Sequence, residues 1–196
     1  MRQNKAQVFV ISGPSGSGKT TLLSSVLKEK TLQKKFARSV SFTTRPRRSK
    51  EQNGKDYFFI SEAEFKKSLR AKKILEWTRY LSYYYGTPKE FVDNQLKTGK
   101  HILLCLDFKG ALRIKKLYGN HCTTIFILPP SLTELTKRIE KRCHLTKREE
   151  IEQRLQLAKE EISTASKYDY CLLNDNLKTV VEELKAIITK KINPQS

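Results

Sequence analysis

The chain reads as an α/β protein: a parallel sheet with helices on both faces, three layers in all. Three observations predict this. Short continuous apolar runs at Val8–Ser12, residues 101–106, residues 123–128 and Tyr170–Leu173 suit strands buried on both faces. Segments with helical spacing lie between them, and such alternation implies parallel strands joined by crossover helices. Finally, the first apolar run feeds a glycine-rich turn that opens a helix-forming segment, residues 19–30.

That turn is Gly13-Pro14-Ser15-Gly16-Ser17-Gly18-Lys19-Thr20, which fits the phosphate-loop spacing G-x-x-x-x-G-K-[ST]. Glycines let successive backbone N–H groups curl inward toward phosphate oxygens. The helix that follows presents its unsatisfied N–H groups and positive dipole end to the same point. Lys19 is expected to reach the β- and γ-phosphates of a nucleoside triphosphate, and the Thr20 hydroxyl to ligate Mg²⁺.

After a further strand, residues 41–97 are polar, aromatic and basic, with strand-like pieces such as 57–60, and read as a small inserted lobe. Arg45, Arg47 and Arg48 are a candidate phosphate clamp, because guanidinium groups pair with phosphate oxygens. Glu76 can accept two hydrogen bonds from a guanine edge, a pair that adenine does not donate. Ser41 and Thr87 offer hydroxyls, and Tyr57, Tyr83, Tyr84 and Tyr85 offer flat faces and phenols. Ser61 with Glu64 marks a helix start. Thr87-Pro88-Lys89-Glu90 suggests another, with Pro88 at the first helical position, and Gly99 is placed to end that helix.

Beyond the strands at 101–106 and 123–128, Ser131 with Glu134 and Thr146 with Glu149 have capping-box spacing. Residues 136–154 form an Arg/Lys-rich helical hairpin that reads as a mobile lid. The last helix carries Val180, Leu184, Ile187 and Ile188 on one face, which should dock on the sheet.

Composition narrows the function classes. A chain of 196 residues, 38% hydrophobic and 30% charged, fits one soluble domain with a real core. No apolar run approaches the roughly 18 to 20 residues of a membrane span, and the first strand follows the N-terminus too closely for a signal peptide. Cys105, Cys122, Cys143 and Cys171 form no C-x-x-C pair and read as free buried thiols of a cytoplasmic protein. His101, His121 and His144 show no metal-ligand spacing. The net charge of +19 raises the question of nucleic-acid binding. The lysines are spread through every segment, which favours a solvated basic surface around a site for anionic substrates.

Gly13 to Thr20, Val40-Ser41-x-Thr43-Thr44-Arg45, Asn53-Gly54-Lys55-Asp56-Tyr57, Tyr84-Tyr85-Gly86-Thr87 and Tyr168-Asp169-Tyr170 with Asn174-Asp175 together resemble guanylate kinase, in order and over the whole chain. The resemblance implies a P-loop NTPase-type three-layer parallel sheet with an inserted GMP-binding lobe and a helical lid. It divides one domain, 1–196, into a core (1–40, 98–135 and 155–196), a GMP lobe (41–97) and a lid (136–154). The implied reaction is phosphoryl transfer from ATP to GMP, or to dGMP, with Mg²⁺. The implied partners are those nucleotides, with no nucleic acid and no membrane, acting on a monomer or homodimer.

By the same resemblance Ser41, Glu76 and Thr87 match guanine-binding positions. Arg45, Arg48, Tyr57 and Tyr85, with Gly86, match the GMP side. Arg138, Arg142 and Arg154 match lid arginines that close on ATP, and Asn174 a position near the adenine. Lys19, Arg45, Arg48 and the lid arginines are the expected catalytic cations, and Thr20 and Asp107 the expected metal-side groups. The chain departs from the family pattern in three places. Proline stands one place early in Arg45-Pro46-Arg47-Arg48, so either Arg47 or Arg48 can complete the clamp. Cys105 stands where the first of two aspartates is usual, leaving Asp107. Cys143 replaces a common lid glycine.

Overall fold

The computed structural model describes residues 6–142 and 148–193. Its centre is a five-stranded, all-parallel sheet of β1 (Val8–Ser12), β2 (Phe36–Arg38), β7 (His101–Cys105), β8 (Cys122–Leu128) and β9 (Tyr170–Leu173), in spatial order β2-β7-β1-β8-β9. The two-residue strand period sorts the core. Phe9, Ile11, Leu103, Ile125 and Ile127 face α1 (Lys19–Val26) and α8 (Leu177–Ile192), packing on Leu22, Leu23, Val180, Leu184 and Ile188. Val8, Val10, Ile102 and Leu104 face the other way, onto Val92 of α4 (Lys89–Lys97) and Ala111 and Ile114 of α5 (Phe108–Tyr118). Burial on both faces explains the unbroken apolar runs, and each such side chain contributes roughly 1.5–3 kcal/mol.

The lobe is a second, mixed sheet of β3 (Phe42–Thr43), β4 (Phe58–Phe59), β5 (Ile74–Tyr80) and β6 (Tyr83–Pro88), ordered β4-β3-β6-β5. Helix α3 (Glu62–Arg70) covers it. The Ser61/Glu64 capping box forms as expected. Phe65 stacks on Tyr84, ring centroids 5.2 Å apart. Gly86 is small for a packing reason: a Cβ there would lie 2.9 Å from Ile74 and 3.0 Å from Phe65. Helices α6 (Leu132–Arg142) and α7 (Arg148–Ser163) pack through Leu135, Ile139, Ile151, Leu155, Ala158 and Ile162. Helix α7 runs without a break past residue 154.

Some expectations need correction. The helix expected over 19–30 stops at Val26, and a second, α2, spans Lys30–Lys35. Glu29 is extended between them, its carboxylate accepting from Thr31 and pairing with Lys185 of α8 at 3.1 Å. Pro88 is the last residue of β6, extended at the cap of α4, not its first helical residue. Gly99 does follow that helix, with φ 80°. Ser131 caps α6, but the Glu134 carboxylate turns to Arg138 instead of closing the box. Thr146 lies outside the described residues, so its cap with Glu149 does too. β9 is an edge strand, so only Leu172 is buried and Cys171 is exposed; Cys122 is buried and Cys105 half-buried. Cys143 is outside the described residues.

Candidate active site

At the C-terminal edge of the parallel sheet lies a cavity of about 780 Å³, lined by the glycine-rich loop, the lobe and helices α6 and α7. Ligands of open α/β sheets bind at this edge. Gly13, Gly16 and Gly18 have φ of 139°, 91° and 93°, a region that side chains rarely tolerate. A Cβ on Gly13 would also strike the Ile127 carbonyl, and one on Gly18 the Asn174 amide. Lys19 folds back over the loop, donating from Nζ to the carbonyls of Gly13 (2.5 Å) and Pro14 (2.9 Å). Gly13, Ser15, Gly16, Gly18, Lys19, Thr20 and Asn174 line the cavity, whereas Pro14 and Ser17 are buried behind it. Asn174 braces the loop, its Nδ2 donating to the Ser17 carbonyl at 2.7 Å.

In the lobe, one carboxylate arranges the clamp. Nη2 of Arg45 donates to both oxygens of Glu51, at 2.8 and 2.9 Å, and the Arg48 N–H donates to Glu51 Oε2 at 2.9 Å. Burial works against these charges, but the arginines outweigh it and hold the Glu51 carboxyl below its ordinary range. The Arg45 guanidinium lies over the rings of Tyr57 and Phe59, 5.6 and 5.7 Å from their centroids. Arg45, Arg48, Tyr57 and Tyr85 line the cavity with Ser41 and Gly86. Arg47 is exposed and donates to the Glu51 carbonyl. Of the two clamp candidates it is therefore Arg48 that faces the cleft.

Glu76 is 4% exposed. Burial pushes its pKa up to about 7, against the pull of the Thr87 hydrogen bond, and Asp107 adds to the rise. The Thr87 hydroxyl donates to Glu76 Oε1 at 2.6 Å. Thr87 is fully buried and acts on the cleft through Glu76; it does not cap α4. Helix α5 closes the pocket from the other side. Arg113 donates to the Trp77 carbonyl and lies over the Trp77 ring. This docking brings Gly110 so close that a Cβ there would lie 2.7 Å from Glu76 Oε2. Asp107 caps α5, accepting from the Gly110 N–H at 2.8 Å.

The helical hairpin supplies Arg138 and Arg154 to the same cavity. Nε of Arg138 donates to Glu134 at 3.0 Å, and Arg154 is 8% exposed. The Arg142 side chain lies outside the described residues. Glu161 of α7 also lines the cavity, and burial pushes it up to about 7, with Lys19 pulling the other way.

A family model described as guanylate kinase matches residues 5–191. The chain belongs to the guanylate kinase family. It is 41% identical over 189 residues to the guanylate kinase of Wolbachia sp. subsp. Brugia malayi, covering 96% of this chain and 95% of that one. It is 44% identical over 181 residues to that of Caldanaerobacter subterraneus subsp. tengcongensis, covering 92% and 85%. The crystal structure of guanylate kinase from Anaplasma phagocytophilum superposes with a TM-score of 0.77 at 28% identity, over 96% of this chain and 87% of that one. The enzyme is therefore a nucleoside-monophosphate kinase that phosphorylates GMP with ATP.

Set against this family, the kinase carries site residues that sequence reading passed over. Glu51, six residues after Arg45, is an acid inside a basic run, and that placement is the signal that could have singled it out. Gly110 and Glu161 carry no local signal. For a divalent cation, the Thr20 hydroxyl and the Asp107 carboxylate both line the cavity. No group of three His, Cys, Asp or Glu side chains converges among the described residues. Such a sparse donor set fits an ion that arrives with a triphosphate and keeps water and phosphate oxygens as ligands. No helix among the described residues is long and apolar enough to cross a membrane.

Proposed function

We propose the following division of labour for transfer from ATP to GMP. The triphosphate lies in the loop 13–20, held by backbone N–H groups and Lys19. The guanine edge is read by Glu76, held in place by Thr87, with Ser41 nearby. The GMP phosphate is gripped by Arg45, Arg48, Tyr57 and Tyr85. An oxygen of that phosphate attacks the γ-phosphorus in line, and the bond to the bridging oxygen of ADP breaks. The acceptor is already anionic at neutral pH, so no general base is needed. Catalysis is positioning and charge neutralisation. Arg138 and Arg154, with Arg142 at the end of α6, close from the lid and exclude water, which would otherwise hydrolyse ATP. Mg²⁺, with Thr20 and Asp107 on its side of the cleft, supplies further neutralisation of phosphate charge when bound.

One observation carries this reading: a single cavity joins Lys19 at one end to Arg45, Arg48 and Glu76 at the other. dGMP should also be accepted, because no group named above reads the 2′-hydroxyl. A cytoplasmic setting suits an enzyme of nucleotide pools with free thiols. Coupled ADP release measured with GMP, dGMP, AMP, CMP and UMP tests the assignment. Turnover of GMP and dGMP far above the others is expected, and equal turnover of AMP would overturn it.

A further inference from the structure

Arg38 is the last residue of β2, and none of the roles above uses it. It lines the same cavity as Lys19, Thr20 and Thr21 and is half-buried. Among the described residues it has neither a hydrogen bond nor an ion pair. Of the other arginines in that cavity, Arg45 and Arg48 pair with Glu51 and Arg138 with Glu134.

Its direction follows from strand geometry. Phe36, two residues earlier, packs into the core on the side of α1, so Arg38 points to that same side. It lines the cavity together with Lys19, Thr20 and Thr21 of the first turn of α1, where the helix dipole and Lys19 favour an anion. Across the strand pair, on the same face, is Cys105 at the end of β7, whose electrostatic neighbours are Arg38 and Lys19. A thiol there offers the guanidinium no carboxylate partner. Leaving a cation half-buried and unpaired is costly unless a ligand supplies the counter-charge.

We propose that Arg38 is an additional catalytic residue that contacts the phosphoryl group in transit from ATP, and that Cys105, by not pairing with it, leaves it free to do so. The inference rests on the ATP-to-GMP reading. Arg38 and Lys19 share Cys105 as an electrostatic neighbour, and on that ground we assign Arg38 to the donor side. Its contribution therefore belongs to the transition state, where charge on the migrating group is shared between donor and acceptor.

Five proteins test this in one coupled assay: the natural chain, Arg38→Met, Arg38→Lys, Cys105→Asp and the double variant Arg38→Met with Cys105→Asp. Arg38→Met should lower kcat about 10- to 100-fold with KM for GMP within about threefold, the pattern of a group acting in the transition state. Arg38→Lys should recover part of the loss, and thermal melting should confirm that each variant is folded. Cys105→Asp puts a carboxylate beside the guanidinium and should lower kcat about tenfold alone, but less than about twofold in the Arg38→Met background. A kcat for Arg38→Met within twofold of the natural chain, or a raised KM for GMP with unchanged kcat, overturns the role. An equal cost of Cys105→Asp in both backgrounds overturns the coupling. Failure of the natural chain to convert GMP would instead sink the reading beneath it.

Discussion

The two ends of the cavity are built on different principles. At the donor end, the contiguous loop 13–20 lines the cavity, and three glycines at positive φ make its path possible. At the acceptor end, side chains from separate segments converge: Ser41, Arg45, Arg48, Glu51 and Tyr57 from one stretch, Glu76 from β5, Tyr85 from β6, and Asp107 with Gly110 from the start of α5. The donor end is thus built mostly from one contiguous stretch, braced by Asn174. The acceptor end exists only when two sheets and a helix are docked. Loss of a donor-end group should cost rate, and loss of an acceptor-end group should cost selectivity and substrate affinity.

Variants at each end break or sharpen that contrast. Lys19→Ala should have the largest effect, lowering kcat by about 10²- to 10³-fold, because it removes a preorganised cation from the transferring phosphates. Its melting temperature should stay near that of the natural chain. Steady-state kinetics and a thermal melt check both halves, and a large drop in melting temperature would show that the loop depends on Lys19 for its fold.

Glu51→Gln is the corresponding test at the acceptor end. It leaves Arg45, only 9% exposed, without its counter-ion and replaces the carboxylate that accepts from the Arg48 N–H. We expect kcat/KM for GMP to fall about 10- to 100-fold and the melting temperature to fall with it, since half of a buried pair is left behind. Titration of ATP alone should be unchanged.

Glu76→Gln should raise KM for GMP about tenfold and narrow the preference over AMP, as expected when a group that accepts both guanine N–H bonds is lost. It also governs pH dependence. Burial pushes the Glu76 pKa up to about 7, and in the proposed reading GMP binds the ionised form. Lowering the pH from 8 to 6 should therefore raise KM for GMP about tenfold through this group. The Gln variant should lose that part of the profile, which separates it from titration of the substrate's own phosphate. A flat profile in the natural chain would contradict the assignment.

Gly110→Ala is the smallest change. Its methyl group would press on Glu76 Oε2, while Thr87 holds Oε1 of the same carboxylate. A rise of about two- to fivefold in KM for GMP with kcat intact is expected, comparable to a modest packing error. An unaltered KM would show that α5 yields more readily than the docking of Arg113 on Trp77 suggests.

Much of the architecture was legible before any coordinates. The phosphate loop, the buried strands and the Ser61 cap are written in short-range spacing, and short-range spacing is what a sequence displays. What escaped was decided by neighbours distant in the chain. Helix 19–30 has no breaker within it, yet Glu29 leaves helical geometry and pairs with Lys185 of α8. Thr87 stands where a cap is expected, but the strand pairing of β5 with β6 turns its hydroxyl to Glu76. Sequence left Arg47 and Arg48 equivalent, whereas the fold turns Arg48 toward the cavity and Arg47 to the surface.

The amino-acid sequence by itself determined the α/β class, the phosphate cradle and the family, because backbone conformation at Gly13, Gly16 and Gly18 and apolar periodicity in the strands depend on residues a few positions apart. Tertiary structure alone decided that Glu51 ties Arg45 to Arg48, that Gly110 lies against Glu76, and that Arg38 lines the cleft without an ion pair among the described residues. Those outcomes depend on distances between segments tens of residues apart, and such distances are set by how the sheets and helices pack, not by any residue's near neighbours.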